Sequence, residues 1–417
     1  MRSLLTATVA LMAGNGLLGV VLPLRMEAAE YPVALTGAIM AAYYLGLALG
    51  GFRAKRVILR IGHIRAFAAF AALTSTVCLA YAFFFNPAAW VLLRVINGFC
   101  IAGMTTTIES WLNERSSNAT RGRVLGYYML AFYLAIALGQ TLVNVAPVNG
   151  DDHLMIAAAL IGLSLVPVAM TRLGEPDLRE VRSLGVGDLY AASKVGVVGA
   201  SVAGILVGSF YALAMVFARQ IGLGVTEAAL FMSTVVIGGL AAQVPVGMLA
   251  DRFDRRIVMA CILLAVGLSW GLLSGAITNG GVPLAVLVVM ALAFGGAISS
   301  VYPLCVAQTF DRLDRRAYVA ASGRLLMIYS IGATIGPLLA SALMSVYGPR
   351  SFFLFESALA MAYACFVLLR VVTGAKPPAA GEREKYVPLP DTSAVASALD
   401  PRTEPEPEPV AQPDPKP

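Results

Sequence analysis

Few residues in this 417-residue chain stand where they could do chemistry. Arg94 and Glu109 fall inside one long apolar run, 89–112. A charge near the middle of a hydrocarbon layer costs at least about 2.5 kcal/mol, so each is a functional candidate by default. Arg94 is about five residues from one end of the run. There its guanidinium either snorkels to the interface or serves an interior cavity. Glu109 is near the other end, just before Trp111. It is either a proton-coupling carboxylate or the acidic partner of Arg60, Arg65 or Arg121 in the adjoining loops. Arg324 and Glu356 sit within about two turns of run ends, where snorkelling or pairing at the interface accounts for them. Enzyme chemistry lacks its parts. There is no H-E-x-x-H, no G-x-x-x-x-G-K-[ST], no histidine deep in a run and no paired carboxylates within runs. The five cysteines (Cys78, Cys100, Cys261, Cys305, Cys365) all fall in runs, and an odd number there gives no disulfide framework. No metal or cofactor site is expected.

The elements that must position these groups follow from composition. Hydrophobic residues make up 59% of the chain and charged residues 13%, and the mean hydropathy is +0.79. Soluble domains carry about a quarter charged residues. A soluble enzyme, a nucleic-acid binder and a disordered protein are therefore excluded as readings of the whole chain. Twelve apolar runs have the length of about 20 residues that a helix needs to cross a bilayer. They are 3–24, 34–52, 66–85, 89–112, 124–145, 153–171, 195–218, 226–249, 257–277, 283–307, 319–346 and 351–372. The first is too long for a signal-peptide core and lacks a small-residue cleavage site, so it reads as a span.

The net charge of +6 is unevenly spread. Residues 373–417 hold 5 basic and 8 acidic residues, and 11 of the 22 prolines, so this tail reads as a disordered, solvated appendage. Residues 1–372 are then net +9. Between runs, 19 Lys and Arg fall on one side and only Arg25, Arg219 and Arg350 on the other. That bias places the rich side, with both termini, in the cytoplasm.

The chain also repeats itself. Arg60 and Arg252 follow the second and eighth runs and are 192 residues apart, and Gly139 and Gly336 are 197 apart. The expected division is a six-helix half over 1–171, a linker over 172–194, a second six-helix half over 195–372 and the tail over 373–417. Here the residues support a family. Gly247-Met-Leu-Ala-Asp251-Arg252-Phe-Asp254-Arg255-Arg256 resembles the G-x-L-A-D-R-x-G-R-R loop motif of the major facilitator superfamily, with Asp254 in place of the second glycine. The first-half copy keeps Arg60, Gly62 and Arg65 but has Leu59 for the aspartate. Arg94-Val-Ile-Asn97-Gly98 resembles the R-x-x-x-G motif of the fourth span. Glu109-Ser-Trp111-Leu-Asn-Glu114-Arg115 with Arg121-Gly122-Arg123 is similar to the bacterial YcaD-type branch.

The resemblance implies an all-α integral membrane fold of twelve helices in two pseudo-symmetric halves. It implies a secondary transporter of a small organic solute working by alternating access, with protons as a candidate coupling ion. A passive facilitator or a non-transporting sensor of the same fold is the alternative. It places Arg94 in a cavity lined by the first, fourth, seventh and tenth spans and flanked by the second, fifth, eighth and eleventh. The mid-run polar residues on those spans are Asn15, Tyr43, Tyr44, Asn97, Tyr133, Gln140, Tyr211, Gln243, Tyr302 and Tyr329. Such a set hydrogen-bonds without fixed charge and suits a neutral, amphipathic or weakly charged molecule. Gly247, Asp251, Arg252, Arg255 and Arg256, with Arg60, Gly62 and Arg65, would form a cytoplasmic latch. In it Asp251 would accept from helix N-terminal amides, and the arginines would pair with a carboxylate at a neighbouring helix end. The G-x-x-x-G-P pattern that drug/proton antiporters carry in the fifth span stands here in the eleventh, as Gly332, Gly336 and Pro337. The expected setting is the bilayer of an inner cell membrane, as a monomer with no nucleic-acid partner.

Overall fold

In a computed structural model, residues 1–117, 119–148, 150–171, 184–276, 283–374, 383–389 and 399–402 are described. Among them, twelve helices are long and apolar enough to span a membrane. They are α1 (Arg2–Ala28), α2 (Val33–Ile61), α3 (His63–Phe83), α4 (Pro87–Glu114), α5 (Arg121–Thr141) and α6 (Asp152–Ala169). The second half comprises α7 (Lys194–Gln220), α8 (Val225–Arg252), α9 (Arg255–Ala276), α10 (Leu284–Phe310), α11 (Tyr318–Tyr347) and α12 (Arg350–Thr373). A short 3-10 turn, Leu142–Val145, extends α5, and α6 breaks at Ser164, three residues before Pro167. Proline has no N–H to continue the helical ladder. Most of the expected linker, 172–183, lies outside the described residues, and its end forms a short helix, Val186–Ala192.

Hydrocarbon gives apolar helices no solvent-driven reason to associate, so close backbone approach at small residues must supply the packing. A Cβ added at Gly98 on α4 would meet the Tyr43 carbonyl oxygen on α2 at 2.0 Å. A Cβ added at Gly295 on α10 would meet that of Val235 on α8 at 1.9 Å. Tyr43 and Val235 are 192 residues apart, and Gly98 and Gly295 are 197 apart. Those are the two offsets of the sequence repeat. The halves therefore repeat a packing contact as well as a span order, α2 on α4 answering α8 on α10.

Within each half α1 packs on α5 and α7 on α11; between halves α2 meets α11 and α5 meets α8. Polar contacts that join the halves gather at the end away from the arginine-rich loops. Arg219 pairs with Glu27 at 3.4 Å, the Thr226 hydroxyl donates to Asn144 Oδ1 at 2.7 Å, and the Ser233 hydroxyl donates to the Ala137 carbonyl at 3.1 Å. The arginine-rich loops share the opposite end, called the basic end below.

The tail departs from expectation. The Glu404–Pro409 stretch lies outside the described residues, but Val387, Leu389 and Leu399 are buried against the helices. The composition of 373–417 averages over an apolar patch, Tyr386-Val-Pro-Leu389, that has surface to bury.

Replacing Gly295 by leucine should drive α10 off α8 and lower the thermal stability of the detergent-solubilised protein by about 1–3 kcal/mol. An unchanged melting temperature would show that the contact does not hold the half together.

Candidate binding cavity and latch

Between the halves lies an open cavity of about 150 Å³. Nine of the eleven expected cavity residues line it: Asn15, Tyr43, Tyr44, Arg94, Tyr133, Gln140, Tyr211, Tyr302 and Tyr329. The helical period explains the clustering. Asn15 on α1 and Gly139-Gln140 on α5 turn inward together because α1 and α5 are in backbone contact there, Gly139 against the Ala13 carbonyl. The remaining two stand behind the wall. Asn97 Oδ1 accepts from Arg94 at 3.4 Å. Gln243 Nε2 donates to the Ser299 carbonyl at 3.5 Å, and its Oε1 accepts from the Tyr386 hydroxyl at 2.7 Å. Sequence reasoning missed the apolar and small wall residues, among them Met40, Leu47, Phe132, Met232, Ser299 and Ser330. The apolar ones carry no polar signal, and Ser330 spends its hydroxyl on the Leu326 carbonyl of its own helix.

Arg94 is 3% exposed, so it faces the protein interior and does not snorkel. Its guanidinium stands over the Tyr43 ring, 4.6 Å from the centroid, and Asn15 Nδ2 donates to the Tyr43 hydroxyl at 3.1 Å. No carboxylate pairs with Arg94 among the described residues. Three buried polar atoms here have no protein partner among the described residues: Arg94 Nε, Asn97 Nδ2 and Gln140 Oε1. Leaving such a group unsatisfied costs about 1–3 kcal/mol, more where it is charged.

Glu109 does not join this site. It lies 15 residues along α4 from Arg94, about 22 Å at the helical rise. It is fully buried, and its Oε1 accepts from the Tyr128 hydroxyl on α5 at 2.8 Å. The expected pairing with Arg60, Arg65 or Arg121 is not formed. Arg60 and Arg65 are exposed, at the end of α2 and the start of α3, and Arg121 makes no ion pair among the described residues. Glu356 is the other correction. It is 1% exposed and accepts from the Ser209 hydroxyl on α7, so it neither snorkels nor pairs at an interface. Distance from a span end cannot tell which way a helix face turns. Arg324 is half-buried, and its Nε donates to the Leu184 carbonyl at 3.0 Å.

The charged residues expected to form a latch meet in the second half. Arg255 Nη1 pairs with Asp311 Oδ2, just past the end of α10, at 2.5 Å and also donates to the Ala307 carbonyl at 3.1 Å. Asp251 lies one turn before Arg255, 3.5 Å away. Asp254, which replaces the motif glycine, accepts from the Arg256 amide at 3.0 Å at the start of α9 and pairs with the Arg256 guanidinium at 2.8 Å. Burial pushes the Asp254 carboxyl up, but the hydrogen bonds and charge of Arg256 outweigh it and hold the group below the ordinary aspartate value. Burial instead wins at Asp311, which stays above its ordinary value although Arg255 pulls it down. Arg256 Nη1 also donates to the Arg370 carbonyl at the end of α12.

Three expectations for the latch change. Asp251 accepts from the Tyr386 amide at 2.7 Å, not from a helix N-terminus. Arg252 makes no ion pair among the described residues and lies over the Phe253 ring. In the first half, the residue 192 before Arg255 is His63, which is 3% exposed and packs 5.6 Å from the Trp111 ring, while Arg65 stays outside. Gly62 has φ +86°, a left-handed turn that glycine adopts without strain. Asp311 was legible: Asp311-Arg312 stands 197 residues after Glu114-Arg115.

Removing one member of a buried pair leaves the other uncompensated. Arg255→Ala should cost about 3–5 kcal/mol in thermal unfolding, whereas Arg252→Ala should stay within about 0.5 kcal/mol. Equal effects of the two changes would deny Arg255 its special place.

Comparison with known proteins agrees with this arrangement. The Major Facilitator Superfamily model matches residues 4–188 and 195–407. An uncharacterised YcaD MFS-type transporter of Escherichia fergusonii is 25% identical over 370 residues, covering 88% of this chain and 94% of its own. Its counterpart in Salmonella enteritidis is 26% identical over 358 residues, covering 84% and 90%. Among solved structures, the nucleoside transporter NupG superposes with a TM-score of 0.72 at 14% identity, covering 88% of this chain and 98% of its own. A bacterial homologue of the human lysosomal transporter Spinster, inward-facing and occupied, gives 0.69 at 16%, covering 92% and 97%. The latch motif, the repeated six-helix halves and these matches together make the chain a membrane transporter that belongs to the Major Facilitator Superfamily.

Proposed function

We propose that the protein carries a small organic anion with an apolar or aromatic body by alternating access. The observation that carries this reading is Arg94. It is the only charged residue on the cavity wall among the described residues, it has no carboxylate partner, and six tyrosines share the wall with it. An anionic group on the solute would satisfy the guanidinium through a charge-assisted hydrogen bond. Tyrosine faces and hydroxyls would hold the rest. This sharpens the neutral or weakly charged solute that the polar set alone suggests.

The two-half architecture supplies the rocking motion, and the contacts between Glu27, Asn144, Ala137 and the second half support a state closed at that end. The positive-inside bias assigns the basic end, with both termini, to the cytoplasm of an inner membrane, where the chain works as a monomer.

One observation favours a passive facilitator over proton coupling. The wall residues include no carboxylate and no histidine among those described. Coupling would then run through Glu109, away from the solute.

Flux of a panel of aromatic carboxylates and their neutral amides into proteoliposomes tests the reading. Arg94→Ala should reduce carboxylate flux about 10- to 100-fold, the loss of one charge-assisted bond of about 1.5–3 kcal/mol, and leave amide flux little changed. Equal loss for both would reject the anion. An imposed pH gradient should leave flux unaltered in the facilitator and drive it in the coupled transporter, where Glu109→Gln would abolish the drive.

A further inference from the structure

The tail segment 383–389 runs in extended form across the basic end of the second half and into the cavity. Its contacts are specific along its length. The Arg383 guanidinium donates to the Phe253 carbonyl at 2.8 Å. Glu384 meets the latch on every side. Its amide donates to Asp311 Oδ1 at 3.1 Å, its carbonyl accepts from Arg255, and its carboxylate accepts from Arg315 Nε at 2.9 Å. The Tyr386 amide donates to Asp251, and its ring lies against Gly247, where an added Cβ would stand 2.6 Å from Cδ1. Its hydroxyl reaches Gln243, behind the cavity wall. Leu389, 4% exposed, lines the same cavity as Arg94. A second piece fixes the first: Arg402 Nη1 donates to the Lys385 carbonyl at 3.0 Å, and its guanidinium stands over the Phe310 ring, 4.8 Å from the centroid.

Two features give this arrangement a consequence. The segment uses Asp251, Arg255 and Asp311, the charges that form the latch. Its far end occupies cavity volume that a solute entering or leaving through the basic end must cross. Alternating access also requires the halves to approach at that end, and an interposed strand ending in Leu389 opposes the approach.

We propose that residues 383–389 are an intramolecular plug, seated on the latch by Glu384 and Tyr386 and in the cavity by Leu389. Seated, the plug competes for the basic-end mouth with solute and with closure of that end. Released, it frees both.

The test needs no solute and so stands apart from the anion reading. In a full-length chain whose native cysteines are replaced, a cysteine at Ser299 on the cavity wall is titrated with a membrane-impermeant sulfonatoethyl methanethiosulfonate. The reagent is presented at the basic end in inside-out vesicles. Tyr386→Ala with Leu389→Ala should raise the labelling rate at least about fivefold, the ratio set by the open fraction. Equal rates with and without those two changes overturn the plug. A second measurement covers the case in which those changes harm folding. Gly247→Cys with Tyr386→Cys removes the ring that a Cβ at 247 would meet and sets two thiols in range. Oxidation should then cross-link tail to α8 within one chain and slow labelling at Ser299→Cys, with reduction restoring it. Failure to cross-link, or a cross-link that leaves labelling unchanged, overturns the proposal.

Discussion

Hydrocarbon offers no hydrogen bonds, and the rest of the structure follows from that constraint. Each spanning segment must satisfy its own backbone, which leaves helices as the form for single apolar stretches of this length. The same solvent removes the hydrophobic drive between helices. Contact then depends on how near two backbones can come, and small residues decide it. Gly98 against Tyr43 and Gly295 against Val235 are one solution used twice. A Cβ at either place would strike a carbonyl oxygen, so the chemistry that makes α4 and α10 pack also fixes how each half is built.

Against that background a charged interior group stands out by its cost. Glu109 and Glu356 meet hydroxyl donors, Tyr128 and Ser209. Arg94 shares the cavity with tyrosine faces, and its Nε has no protein partner among the described residues. Its geometry suits a ligand better than a structural tie, because its hydrogen bond to Asn97 is long at 3.4 Å. The buried ion pair of the second half is tighter. Arg255 and Asp311 close to 2.5 Å with both side chains buried. Among the described residues the buried guanidinium groups of Arg25, Arg255, Arg256 and Arg402 each pair with a carboxylate, and that of Arg94 does not.

How much of this the sequence disclosed depends on which physical property was being read. Hydropathy reads the hydrocarbon thickness, so all twelve spans were visible, but α2 continues to Ile61 where the apolar run stops at 52. Arg53, Lys55 and Arg56 are good helix formers that simply stand outside the membrane. Mid-run polarity, on the spans that the family resemblance named as lining, singled out Asn15, Tyr43 and Gln140, which share one wall. It was silent on Met40 and Phe132, which look the same facing lipid or cavity. Glu356 was misplaced for a related reason: depth along a helix was judged, and rotation about its axis was not. The tail was misread by averaging, since its eleven prolines and eight acids conceal seven residues, 383–389, that behave as a docking strand.

The latch and the tail strand share Asp251, Arg255 and Asp311, and that sharing binds their energetics together. A carboxylate that accepts from the Tyr386 amide has that lone pair engaged while the strand is seated. Any movement of α8 against α10 that alters the Arg255–Asp311 pair must also alter the seat of Glu384, whose amide and carbonyl bond to those two residues. Linkage then runs both ways: whatever the strand contributes to one conformation of the halves, that conformation returns to the binding of the strand. A solute that fills the cavity and displaces Leu389 would therefore loosen the latch from within. If Arg94 takes the solute's anion and residues 383–389 act as a plug, loading the cavity and freeing the basic end to close would be one event, with Arg94 reading the solute and Asp251 reading its consequence.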